Sequence, residues 1–235
     1  MEQESVSLNS SHGASATAER PHTHEMVVVH RVFRRESALL PRLVRAVPDG
    51  DRARAVQVAA ALRDYTLGLH HHHHAEDELI WPLLRARAAH DEALVERMTE
   101  QHEAIDRTLA AVTEWMPLWE RSGDRIPGEE LALALDAHRI ALLDHLDEEE
   151  RSVLPLIAEH LTVPEWELVG QRGLEGLPKN KRLLALGAIL EEATPEESAV
   201  FLGKAPLIGR LLWQAVGRRQ YAAYCRTMRA PLDGE

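Results

Sequence analysis

Leu69-His70-His71-His72-His73-His74-Ala75-Glu76-Asp77-Glu78-Leu79-Ile80-Trp81-Pro82 carries five consecutive histidines into an acidic and then an apolar segment. His72 and Glu76 stand four apart, so a helix places them on one face, one turn above the other. An imidazole and a carboxylate so placed can hold one metal ion between them. The spacing recurs in His145-Leu146-Asp147-Glu148-Glu149-Glu150-Arg151-Ser152-Val153-Leu154-Pro155. In both copies an acid follows the Glu (Asp77, Glu150), and an apolar pair precedes a Pro six residues beyond it. A purification tag would be terminal and polar-flanked, whereas this run is internal and leads into an apolar-periodic segment. One His-x-x-x-Glu pair is weak evidence; two copies with matching flanks are much stronger.

The chain has 235 residues, 45% hydrophobic and only 4% aromatic. That length suits one medium domain, or a domain with a smaller one attached. Ala, Leu, Arg and Glu dominate and alternating Val/Ile runs are missing, which predicts an all-α fold. A formal net charge of -11 argues against nucleic acid as a partner. The single cysteine, Cys225, excludes an intramolecular disulfide and a thiolate-rich zinc site within one chain. No apolar run approaches the roughly 20 residues of a membrane span, and the N-terminus has no hydrophobic signal core. A soluble, cytoplasmic protein without a membrane partner is expected.

Residues 1–24 are poor in apolar side chains and are expected to form a disordered tail. Periodicity then predicts four long helices. The first runs from about Glu25 to Ala46, with Pro41 interrupting its pattern, and ends at the turn Pro48-Asp49-Gly50. The second starts at the N-cap Asp51 and runs through the histidines to Pro82. The third spans about Asp91 to Pro117, before a loop at Arg121-Ser122-Gly123-Asp124. The fourth starts at Pro127-Gly128-Glu129 and reaches about His160. Short connections make residues 25–162 an up-down-up-down four-helix bundle. Beyond Thr162 the histidines stop, and Gly173, Gly176 and Pro178 break the chain. Helical stretches at about 179–192, 195–202 and 206–229 make residues 163–235 a C-terminal extension, which packs on the bundle or, as a homodimer contact, on a second copy. Its Arg210, Arg218, Arg219 and Arg226 read as a solvated face.

Distance along the helices brings the histidines together. His30 lies about 20 residues before the first turn and His72 about 21 after it, so at roughly 1.5 Å per residue both sit about 30 Å from that turn. His102 and His145 flank the next loop at that end in the same way. All four fall at one level of an antiparallel bundle, as two hairpins that each bring two imidazoles and one carboxylate to a common centre. Four buried imidazoles and two carboxylates without a cation would be costly. Bundle cores of this kind build dinuclear sites, with Glu76 and Glu149 placed to bridge two ions. Nitrogen and oxygen donors without thiolates suit iron. The plainer alternative is a bundle with structural His–Glu hydrogen bonds.

From Glu25 to His160 the chain resembles the hemerythrin-like (HHE cation-binding) family. The likeness rests on Val29-His30-Arg31-Val32-Phe33-Arg34-Arg35, on His72-His73-His74-Ala75-Glu76-Asp77 with Trp81-Pro82, on Glu100-Gln101-His102, and on His145 to Pro155. It implies an oxo- or hydroxo-bridged di-iron centre that handles dioxygen, peroxide or nitric oxide, with ligands His30, His72, Glu76, His102, His145 and Glu149. Oxygen-carrying members imply a further His four residues before His102, where this chain has Met98. Unless His73 supplies that imidazole, an exchangeable position opens on one iron, which disfavours reversible oxygen carriage and favours peroxide or nitric-oxide chemistry. His138, two turns before His145, reads as a core or supporting residue. Three functions follow: a di-iron protein that binds or consumes small oxidants, catalase-like in one form; an iron or oxygen sensor without catalysis, reporting through the C-terminal helices; and, third, a tailoring oxygenase with a pocket beside the metals.

Overall fold

The computed structural model describes residues 19–232. Most of the tail expected to be disordered, residues 1–18, lies outside them. The described residues form helices, turns and loops without a strand.

Four long helices build the core: α1 (His24–Arg45), α2 (Arg52–Leu79), α4 (Glu92–Ser122) and α5 (Arg125–Glu148). Helix α1 packs against α2 and α5, and α4 against the same two, so the four surround one interior. Leu40, Leu62, Leu69, Ile105, Leu135 and Leu142 meet there, each 1% exposed or less. The Asp51 side chain caps α2 by accepting from the Arg54 N–H at 3.0 Å. The α1–α2 and α4–α5 connections lie side by side, because the Gly50 N–H donates to the Gly123 carbonyl at 3.0 Å. Gly123 has φ +74, and a Cβ there would stand 2.7 Å from the Asp51 carbonyl carbon, so two requirements fix glycine at one position.

Helix α4 does not stop at Pro117 but runs five residues further, to Ser122. Trp119 in this last stretch is 1% exposed, against Gly128, where a Cβ would come within 2.9 Å of the indole nitrogen. Burial of that indole outweighs the hydrogen bond that Pro117 cannot donate. The expected loop shrinks accordingly, and α5 starts two residues before Pro127.

Both copies of the motif end in a broken helix. Helix α2 stops at Leu79, and α3 (Trp81–Arg87) restarts with Pro82 in its first turn. Helix α5 opens into a π-turn over Glu149–Val153 before α6 (Leu154–His160). There the Leu154 N–H donates to the carbonyl of Glu149, five residues back. The ring of Pro155 would collide with the carbonyl of Arg151, and the wider turn accommodates it.

The C-terminal helices pack on the bundle. Helix α7 (Val163–Glu175), absent from the sequence expectation, lies along α2 and opens with a capping box between Thr162 and Glu165. Its Trp166 and Val169 join Trp81, Leu84, Met98, Val153 and Ile157 in a second apolar cluster. Helix α8 (Arg182–Glu192) packs on α1, where Arg35 pairs with Glu191 and Glu192 at 2.8 and 2.6 Å. Helix α9 (Pro195–Lys204) is tied to α1 through Glu197 to Arg31 at 2.9 Å and Lys204 to Glu25 at 2.6 Å. Helices α10 (Leu207–Leu212) and α11 (Arg218–Arg229), joined by a π-turn at Trp213–Gly217, form the predicted last helix. Met228 at its end enters the core of the bundle.

Candidate metal centre

Each long helix delivers part of one cluster: His30 from α1, His72, His73 and Glu76 from α2, His102 from α4, and His145 from α5 with Glu149 at the π-turn. The donor atoms fall into two groups whose members lie within 4.8 Å of one another: His73, His102 and His145 in one, and His30, His72, Glu76 and Glu149 in the other. Each carboxylate reaches both groups. Glu76 Oε1 lies 3.2 Å from His72 Nε2, and its Oε2 lies 3.3 Å from His102 Nε2. Glu149 Oε2 lies 3.3 Å from His30 Nε2 and 3.6 Å from His145 Nε2.

All seven residues are buried, and both carboxylates are 0% exposed. Nine of their atoms have no hydrogen-bond partner: Nε2 of His30, His72, His73, His102 and His145, and all four oxygens of Glu76 and Glu149. The remaining buried side-chain orphan among the described residues is Arg139 Nε. A buried polar group without a partner costs about 1–3 kcal/mol, so nine converging on one spot call for a shared partner. Their chemistry, imidazole nitrogen and carboxylate oxygen, is the donor set of a dinuclear metal site.

The outer ring nitrogens fix the tautomers. His30 Nδ1–H donates to Glu150 Oε1 at 2.9 Å and His102 Nδ1–H to Asp77 Oδ1 at 2.8 Å. His145 Nδ1–H donates to the Gln101 amide oxygen at 3.1 Å. Each partner atom can only accept, so in neutral imidazoles the Nε2 lone pair faces the centre. Asp77 and Glu150 are the acids that follow the two candidate bridging glutamates, and each braces an imidazole of the opposite hairpin. The sequence shows these acids in both copies of the motif, but not that they cross between hairpins. Trp81 Nε1–H donates to the same Asp77 oxygen at 2.8 Å, and Arg34 pairs with Glu150 at 3.0 Å.

Burial lowers His72 to about 4 and His145 to about 3, keeping both neutral at pH 7. Burial opposes charge on His102 too, but Asp77 and Glu76 outweigh it and raise that group to about 9. A metal ion at His102 Nε2 therefore displaces a proton. Burial pushes Glu149 well above the ordinary carboxylate range, and the neighbouring charges of Glu76 and Glu150 push it further. Two carboxylates in one dry site do not both ionise without a cation between them.

Within the histidine run, His70 and His74 are exposed and His71 half-buried, while His72 and His73 turn inward. His73 stacks on His102 with ring centres 4.1 Å apart and meets His145 edge-on at 5.1 Å. Of the two alternatives left open at this position, the geometry brings His73 to the centre. Met98 is fully buried among Trp81, Val95 and Val153, and His73 supplies the third imidazole of its group. Adjacent residues on one helix serve different groups because the centre has two foci. Met98→His is accordingly expected to add no ligand and to cost about 1–3 kcal/mol as an unpartnered buried imidazole. A shifted metal spectrum in that variant would restore the vacancy.

His138 stands apart from both groups. Tyr65 O–H donates to its Nε2 at 2.7 Å, and its Nδ1–H donates to Thr108 Oγ1 at 3.1 Å. Thr108 O–H passes the chain on to the Ile105 carbonyl at 2.6 Å. Every role is consistent with a neutral ring, and burial lowers this group to about 4. His138 is a satisfied core histidine.

Fold and centre together define a helical histidine–carboxylate cation-binding protein. The chain belongs to the hemerythrin family: residues 22–157 match its Hemerythrin HHE cation binding domain. A curated relative from Arabidopsis thaliana, described as a BRUTUS-like zinc finger protein, is 28% identical over 141 residues. The match takes in 59% of this chain but 11% of that relative, so the chain spans about a tenth of its length. No solved structure matches the chain. No helix among the described residues is long and apolar enough to cross a membrane.

Proposed function

We propose that this chain is a non-haem di-iron protein whose centre binds or reacts with dioxygen, hydrogen peroxide or nitric oxide. The observation that carries the reading is the set of nine unpartnered donor atoms divided between two foci. His73, His102 and His145 would hold one ion and His30 and His72 the other, with Glu76 and Glu149 reaching both. Bound iron supplies one- and two-electron redox chemistry toward small oxidants. The chain's own contributions are to fix the imidazoles through Asp77, Gln101 and Glu150 and to keep the site dry. Phe33 lies against His72 with ring centres 5.0 Å apart, and Trp81 against His102 at 5.7 Å. The His30 and His72 side has one imidazole fewer, which leaves more room there for an incoming small ligand.

Burial of all seven donors favours small ligands over an organic substrate. A cleft of about 300 Å³ is lined by His71, His74, Arg172, Glu175 and Gly176, and one of about 220 Å³ by Leu190, Ser198, Leu202, Trp213 and Arg218. Neither is lined by any of the seven donors. Four long helices, with short turns between α1 and α2 and between α4 and α5 and with α3 lying between α2 and α4, are read as an up-down-up-down bundle around the centre. Expressed with iron, the protein is expected to carry two irons per chain and to absorb in the near ultraviolet by ligand-to-metal charge transfer. Stoichiometric zinc, with no uptake of iron under reducing conditions, would overturn the di-iron reading.

A sensory role is the second reading, and the ties of α1 to α9 favour it. Arg31, next to His30, and His24 both pair with Glu197, so ordering of α1 by bound iron reaches the C-terminal helices. Peroxide or nitric-oxide consumption that His72→Ala abolishes identifies catalysis. No consumption, together with iron-dependent protection of α9 from amide exchange, identifies sensing.

A further inference from the structure

The C-terminal helix carries a face that the other described residues do not cover. Leu207, Ile208, Leu211, Leu212 and Val216 are 64, 72, 56, 48 and 52% exposed. Their spacing, with steps of one and four and Ala215 between, aligns them along one side of α10 and the following π-turn. The helix is anchored from its other side. Trp213 is 5% exposed, a Cβ on Gly217 would meet its ring at 2.5 Å, and Met228 enters the bundle core. An apolar patch of a few hundred Å² or more with a polar rim marks an interaction surface.

Charge is segregated to the same segment. The chain has a net charge of -11, yet no acidic residue lies between Glu197 and Asp233, a stretch that holds Lys204, Arg210, Arg218, Arg219, Arg226 and Arg229. Lys204 and Arg229 are paired, to Glu25 and Glu191. Arg210, Arg218 and Arg219 are exposed beside the aliphatic face and hold no ion pair among the described residues.

We propose that this face docks peripherally on an anionic lipid surface, its aliphatic side chains entering the acyl boundary and Arg210, Arg218 and Arg219 meeting the headgroups. A helix with a basic flank and an aliphatic face lies in the plane of a bilayer; it does not cross it. This departs from the expectation of no membrane partner, which rested on the lack of a spanning apolar run and did not weigh surface docking. The chemistry favours lipid over protein, since the exposed apolar side chains of this face are Leu, Ile and Val with no Trp or Tyr among them, and Leu and Val are poor anchors of a protein interface. A second copy seated by a two-fold axis would set arginine against arginine, with no acid on α10 or α11 to meet it.

The full iron-loaded chain tests this by co-sedimentation with vesicles of phosphatidylcholine alone and of phosphatidylcholine mixed with phosphatidylglycerol. Binding is expected to the mixed vesicles only, and to be lost at about 1 M salt, where the Debye length falls to about 3 Å. Each arginine is worth roughly five-fold in partition, so Arg210→Gln with Arg218→Gln and Arg219→Gln should weaken binding by roughly a hundredfold. Leu211→Glu should abolish it, while Ile140→Glu, at a position 65% exposed on the bundle, should leave it unchanged. Absence of binding, or equal binding to both vesicles, overturns the proposal. So does a concentration-dependent dimer in sedimentation velocity that Leu211→Glu dissolves, since a second copy would then occupy the face.

Discussion

Glu149→Leu is expected to have opposite effects on the loaded and the metal-free protein. With iron, the variant loses the carboxylate that reaches His30 and His145 at 3.3 and 3.6 Å, and at least one ion goes with it. Metal held by a folded site contributes its binding free energy to folding, so the loaded variant should melt well below the loaded parent. Without iron the sign reverses. Both Glu149 oxygens are buried without a hydrogen-bond partner, and burial with the neighbouring charges of Glu76 and Glu150 disfavours the ionised form. Replacing an unsatisfied buried acid by an apolar group of similar size removes a cost of about 1–3 kcal/mol. The metal-free variant should therefore be the more stable of the two chains. Glu76→Leu is expected to behave alike under iron, because Glu76 spans His72 and His102. Thermal unfolding with and without a chelator, beside iron analysis, reads both signs. If Glu149→Leu kept two irons and its melting temperature in both states, the two carboxylates would not be the bridge.

How far the sequence reached can be judged at particular residues. The helical level of His30, His72, His102 and His145 followed from their distances to the turns, because an α-helix converts residue count into length with little slack. The same count could not show that His72 and His73 both turn inward, since neighbours on a helix point about 100° apart and a single focus would admit only one. Two foci admit both, and that is a property of the assembled centre. The roles of Asp77 and Glu150 were half visible. Their recurrence after Glu76 and Glu149 is in the sequence, but their partners lie 25 and 120 residues away. Helix α7 was legible and unread. Thr162-Val163-Pro164-Glu165 has the spacing of Thr194-Pro195-Glu196-Glu197, which does mark a helix start, and both form capping boxes. The glycines at 173 and 176 pointed the other way. Gly173 sits inside the helix, and Gly176 marks its end where His71 leaves no space for a side chain.

A chain ending at Thr162 is expected to hold iron and to be much less stable than the full chain. Every candidate ligand precedes that point, so the donor set survives intact. The support around it does not. Trp166 is 6% exposed in the cluster that contains Trp81 and Met98, and Trp81 in turn lies on His102 and donates to Asp77. Removing α7 uncovers that cluster beside the group formed by His73, His102 and His145. The loss of the Trp166 side chain alone can be isolated in the full chain, where Trp166→Ala should cost roughly 3–5 kcal/mol. For a domain of this size each 1 kcal/mol lowers the melting temperature by about 2–4 °C, so a drop of roughly 10 °C is expected from the single substitution. The truncated chain should fall further, because it also loses Met228 from the bundle core and the pairing of Arg35 with Glu191 and Glu192. Iron should recover part of this in both variants, since bound metal favours only the folded form. A truncated chain as stable as the full one would show that α7 to α11 cover the bundle without supporting it. A folded truncation unable to take up iron would show instead that the apolar cover of Trp81 is what keeps His102 and Asp77 in place.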